Sequence, residues 1–166
     1  MVDPAERERT LERLRQICLG LPETSERLSH GAPTFFVRGK RAFLMVLTDH
    51  HGDGRFAIWC AAPEGIQQML VEADPERFFV PPYVGHRGWL GVRLDVAPRE
   101  SSTDASTGQF RRSTGKARTP DGRRRKRRLG GLDWNELAGI AEDAYADVAP
   151  AKLVEAARSG DPGATP

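Results

Sequence analysis

Thr34-Phe35-Phe36-Val37-Arg38-Gly39-Lys40-Arg41-Ala42-Phe43-Leu44-Met45-Val46-Leu47-Thr48 consists of two apolar, strand-favouring runs broken by a Gly-Lys pair. Aromatic and β-branched residues suit a pleated surface, and a two-residue break in which glycine supplies positive φ suits a tight hairpin. The spacing predicts strands over 34–38 and 41–48. Outward from this hairpin, His30-Gly31-Ala32-Pro33 and Asp49 to Gly54 punctuate further short runs, with a strand at Arg55 to Ala61 and another at Trp89 to Asp95. In the last of these, Leu90, Val92 and Leu94 should face one side and Trp89, Gly91 and Arg93 the other. The prolines of Phe78-Phe79-Val80-Pro81-Pro82-Tyr83 rule out a central strand, leaving a loop or a sheet edge.

Helical periodicity flanks these strands. Asp3-Pro4-Ala5-Glu6 reads as an N-cap, a first-turn proline and a capping-box glutamate, and Leu11, Leu14, Ile17, Cys18 and Leu21 recur on one face. The first helix should cover 4–19. Pro63 should open a second, with Ile66, Met69, Leu70 and Ala73 as its stripe and Asp74-Pro75 as its stop. Asp133 and Glu136 mark the start of a third, carrying Trp134, Leu137, Ile140, Ala141, Ala144, Tyr145 and Val148; Pro150 begins a short fourth. The order predicts one α+β domain with an antiparallel sheet over residues 1–158, followed by a disordered tail at 159–166.

The charge is unevenly placed. Ten of the 25 basic residues lie between Arg111 and Arg128, with Asp121 the single acid among them, so the remaining 15 bases face 22 acids. The net charge of +2 therefore averages an acidic body and a basic interruption. Residues 99–131 hold almost no large apolar side chain and are expected to be a disordered insert. Cys18 and Cys60 lack redox or zinc spacing and read as buried thiols of a reducing compartment. The charged N-terminus and the absence of a long apolar window point to the cytoplasm, with no membrane partner.

Leu21-Pro22-Glu23, Phe36 to Phe43, Ala62-Pro63-Glu64, Gly88-Trp89-Leu90 and Asp143-Ala144-Tyr145-Ala146-Asp147-Val148-Ala149-Pro150 occur together in an order and spacing that resembles the MmcQ/YjbR family. The resemblance covers roughly 5–100 and 132–157. It implies a fold like that of the frataxin/CyaY group, a sheet with helices packed on one face. It also implies the label "DNA-binding", which for the family rests chiefly on structural likeness to other DNA binders, and no general catalytic activity. The chain departs from the family pattern in its basic insert, where a short connection is usual.

Two groups of cations are candidates for DNA contact. Arg123, Arg124, Arg125, Lys126, Arg127 and Arg128 form a run able to displace counterions from a phosphate backbone, with little sequence preference. The same run also reads as a solvated stretch, or as an insertion created by a gene-model error. Arg38, Lys40 and Arg41 cluster at the hairpin tip, where a rigid wing would hold them against phosphates, and Arg55, Arg87 and Arg93 extend that patch if they share its face. The alternative is an ordinary solvated turn on an acidic body.

Tyr83, His86, Arg87 and Trp89 suggest a pocket for a small anionic ligand, or local packing in which Trp89 covers an edge. Asp49-His50-His51-Gly52-Asp53-Gly54 reads as a polar hairpin loop and not a metal site: adjacent histidines rarely converge on one ion, and Cys60 stands where a calcium loop needs glutamate. Ser29-His30 are neighbours, which does not present a nucleophile to its base; Gly85, Gly88 and Gly91 lead into a strand and not into a helix; Cys18 sits on an apolar helical face. No catalytic residue, metal or cofactor is expected. The sequence therefore points to a non-enzymatic, monomeric domain binding DNA weakly. The alternative is a domain for a small ligand or an accessory protein.

Overall fold

The computed structural model describes residues 2–96 and 132–160. The stretch expected to be a disordered insert, 99–131, and residues 161–166 of the tail expected at 159–166 lie outside the described residues, whereas Ser159 is the last residue of a helix capped by Gly160. The elements are α1 (Pro4–Leu19), β1 (Thr24–Ser29), β2 (Ala32–Val37), β3 (Arg41–Thr48), β4 (Phe56–Cys60), α2 (Ile66–Ala73), β5 (Phe78–Phe79), β6 (Leu90–Arg93), α3 (Trp134–Val148) and α4 (Ala151–Ser159). The strands form one antiparallel sheet in the order β1-β2-β3-β4-β6-β5. This is the α+β class that the sequence implied. The apolar segment before Pro81 and Pro82 becomes a two-residue edge strand, since proline cannot supply a ladder donor.

Register assigns the two faces. Phe35, Leu44, Cys60 and Leu90 align across the strands, as do Val46, Ile58, Val92 and Phe78. This set shares a buried cluster with Leu14 and Cys18 of α1 and with Leu137, Ala141, Ala144 and Tyr145 of α3. The helices thus cover one face. α3 lies on β3 and β4, α1 on β1 and α3, and α4 on α3, while α2 packs beside β5. Each fully buried Leu or Ile contributes about 1.5–3 kcal/mol by leaving water.

One helix start, one turn and one capping contact differ from the sequence expectation. Helix α2 begins at Ile66 and not at Pro63, because Pro63 to Ile66 closes a turn (Ile66 N–H to Pro63 carbonyl, 3.1 Å) around Gly65 at φ 82°. The β2–β3 turn centres on Arg38 and Gly39, at φ 52° and 63°, with Lys40 N–H donating to the Val37 carbonyl at 3.1 Å. Positive φ at both central positions suits the right-handed strand twist, so the turn forms one residue earlier than glycine alone suggested. Finally, Asp133 Oδ1 caps α3 by accepting from Asn135 and Glu136 N–H (3.0 and 3.2 Å), but the Glu136 carboxylate turns outward to Arg77 at 2.6 Å. The reciprocal half of the expected capping box gives way to an ion pair with a guanidinium only 3% exposed.

Tyr145 locks α3 to both the sheet and the α1–β1 corner. Its ring meets Phe43 edge-on, with centroids 5.8 Å apart, and its hydroxyl donates to the Pro22 carbonyl at 2.9 Å. Tyr145→Phe leaves that carbonyl without its donor and should cost about 1–2 kcal/mol, while Tyr145→Ala adds a cavity and should cost about 3–5 kcal/mol. Urea unfolding of the two variants checks the order.

Cys18 and Cys60 are both buried and unbridged, as expected of core thiols. Burial pushes the Cys60 thiol up to about 12 and raises that of Cys18 further, with Cys60 adding to the Cys18 effect. Folded-state values above the unfolded value of about 8.5 mean that the thiols' contribution is complete below that pH and declines as pH rises above it. Unfolding free energy should therefore fall between pH 8 and 10, and fall less steeply in the Cys18→Ala/Cys60→Ala variant. Identical slopes would remove the thiols as the cause.

Candidate functional site

The three hairpin cations have different fates. The Arg38 guanidinium pairs with Glu23, which holds it protonated, and the Arg38 N–H donates to the Glu23 carbonyl at 2.8 Å. Arg41 donates to the Val148 carbonyl at 3.2 Å, at the C-terminus of α3, where the helix dipole favours a cation. Lys40 stands exposed. Two of the three therefore fasten the hairpin to the body. Arg55 and Arg93 lie at the opposite end of the sheet, since β3 carries the chain about 24 Å from one end to the other. They do not extend the hairpin patch. The Arg123 to Arg128 run is outside the described residues.

The loop from Val80 to Trp89 is pinned from α2: Gln67 Nε2 donates to the Gly85 carbonyl at 2.8 Å and to the Trp89 carbonyl. His86 and Arg87 stand exposed on a 3-10 turn. Trp89 precedes the strand and packs, half-buried, against the core instead of sharing a face with Gly91 and Arg93. Tyr83 is drawn elsewhere. It holds φ 65° at the centre of a γ-turn closed by Val84 N–H to the Pro82 carbonyl (2.8 Å), a costly conformation for a non-glycine residue.

The sheet face away from the helices collects what the loops deliver. Thr34, Met45, Trp59, Gly91 and Phe79 align across it. The Phe79 ring leans over Gly91, where a Cβ would stand 2.5 Å from the ring, so any side chain at 91 must displace it. His50 meets Trp59 edge-on at 4.8 Å and His51 at 4.2 Å, and both imidazoles lie 6.2 Å from the Tyr83 ring. Tyr83 Oη is 3.4 Å from His51 Nε2. Left-handed Asp49 and His51 shape this loop, and Asp49 Oδ1 accepts from Gly54 N–H at 2.8 Å.

In the sequence His50 and His51 read as a polar loop and Tyr83 groups with His86, Arg87 and Trp89. Nothing local links positions 32 residues apart, and only the folded sheet brings them together.

Cations complete this face. The Arg27 guanidinium lies 4.0 Å over the Phe36 ring and that of Arg55 lies 4.5 Å over Phe79, and neither meets a carboxylate among the described residues. Stacked in this way, a guanidinium keeps its N–H edge available for an anion. Arg93 is held by Asp95 at 2.8 Å. The strand positions on this face carry no carboxylate, whereas Glu8, Glu12, Glu142, Asp143, Asp147 and Glu155 sit on the helices behind it. Of these helices α3 alone is acidic, since Arg7, Arg9, Arg13 and Arg15 outnumber the acids of α1 and Lys152 and Arg158 those of α4. Two clefts open where the β3–β4 loop lies: one of about 150 Å³ beside Asp49 and Arg55, and one of about 190 Å³ between His30 and His50. Among the described residues no cluster of three or more His, Cys, Asp or Glu could hold a metal, and no helix is long and apolar enough to cross a membrane.

Comparison with known proteins gives one family match: the family model described as YjbR covers residues 19–106. No curated protein and no solved structure matches. The matched span runs from the end of α1 through all six strands, so it includes both the basic hairpin and the aromatic, cationic face. By that match over more than half of its length, the chain belongs to the YjbR family.

Proposed function

We propose that this protein is a non-enzymatic DNA-binding domain whose affinity is weak, electrostatic and tolerant of sequence. The observation that carries the reading is the density of ten cations against one acid between Arg111 and Arg128. Cations at that density release condensed counterions from a phosphate backbone without reading bases. The folded part adds to them. At the hairpin Lys40 is free to contribute, while Arg38 and Arg41 are engaged within the fold. Arg27 and Arg55 supply further charge, paired with no carboxylate among the described residues, on the helix-free side of the sheet.

A second reading is a site for a small anionic ligand beside Tyr83, favoured by the strained γ-turn that holds this side chain against His51. It predicts ligand-dependent thermal stabilisation without DNA binding at moderate salt.

The first reading makes a quantitative prediction. With about eight phosphates neutralised, log K should fall against log salt with a slope of roughly −7. Deletion of 101–130 should leave the melting temperature of the domain unchanged, flatten that slope and sharply lower affinity. Affinity unchanged by the deletion removes the basic segment from the mechanism, and no DNA binding at low salt removes the function itself.

A further inference from the structure

The helix-free face holds a feature that duplex binding does not use. Tyr83 is 70% exposed although its ring touches two imidazoles, and its γ-turn keeps it out of the core at a conformational cost. The loop around it is built to allow this. Gly85 leaves room for the Val80 side chain, where a Cβ would stand 2.4 Å from Cγ1, and Gln67 ties the loop to α2. The neighbouring His51 is also exposed. Arg55, at the foot of the same β3–β4 loop, lies over Phe79, which directly precedes the Tyr83 loop. An exposed aromatic pair on the same face as guanidiniums that meet no carboxylate is the chemistry that takes an unstacked base together with its phosphate. A duplex keeps its bases stacked on one another and offers none to Tyr83.

We infer that the helix-free face binds single-stranded DNA in preference to duplex, with a base stacked on Tyr83 and His51 and the backbone phosphates on Arg55 and Arg27. The inference rests on the proposed DNA-binding function and names the form of DNA for which the folded surface is suited. Arg27 is in register with Trp59 three strands across, and Arg55 lies four residues along from Trp59, so the two are roughly 20 Å apart and a bound strand crosses the sheet obliquely. Stacking on an aromatic side chain tolerates any base, in keeping with the sequence-tolerant electrostatics of the basic segment.

The test is fluorescence anisotropy with a labelled twelve-nucleotide oligo-dT and a duplex of the same length, using the full chain and its Tyr83→Ala and Tyr83→Phe variants. The full chain should bind the single strand more tightly. Tyr83→Ala should weaken single-strand binding about tenfold and leave duplex binding unchanged, with an unaltered melting temperature because the side chain is exposed. Tyr83→Phe keeps the ring and should keep the affinity. Unchanged single-strand binding in Tyr83→Ala, or an equal loss in Tyr83→Phe, overturns the stacking inference while the wider DNA-binding function stands. Binding of neither DNA by the full chain overturns both.

Discussion

The docking of α3 on the centre of the sheet is the constraint on which the rest of the structure depends. Leu137, Ala141, Ala144 and Tyr145 are almost wholly removed from water on one face of that helix, and Tyr145 joins Phe43 of β3 to the Pro22 carbonyl before β1. Arginines secure both ends of the same helix. Arg77, from the approach to β5, meets Glu136 in its first turn, and Arg41, from the start of β3, donates to its last carbonyl. Each contact joins residues far apart in the chain. The helix is therefore held by its ends as well as by its apolar face, and the helical side of the sheet is closed.

That closure determines where function can reside. Arg38, Arg41, Arg77 and Arg93 are engaged with carboxylates or a helix terminus, whereas Arg27 and Arg55 rest on aromatic rings on the opposite face. The helices, α3 acidic among them, lie behind the sheet, and the aromatic surface with Arg27 and Arg55 lies in front. Among the helices α3 carries four acids and no base, so repulsion of a polyanion is concentrated there.

Much of the fold was legible in the sequence because it follows from local chemistry. Asp3 with Pro4, and Asp133, marked the helix starts; the alternation of Leu90, Val92 and Leu94 marked a buried strand face; Pro81 and Pro82 marked an edge. The departures came from competition between neighbouring signals. Gly65 adopts positive φ and delays α2, and Arg38 accepts a left-handed conformation that sequence reasoning reserved for glycine. The candidate site was far less legible. Arg38 and Arg41 looked like free cations because Glu23 and Val148 are distant in sequence, and the meeting of His50 and His51 with Tyr83 depends on strand order and on three strained non-glycine residues with no compositional signature.

The central claim is that the helix-free face, and not the helical side, receives DNA. The most direct measurement is a nitrogen-15 chemical-shift titration of the full chain with oligo-dT, following backbone amides and arginine Nε–H groups. The account predicts shifts at the Arg27 and Arg55 Nε–H signals and at the amides of 50–59 and 79–84, with those of α3 unmoved. Shifts concentrated on α1 and α3, with the Arg27 and Arg55 signals unchanged, would contradict it.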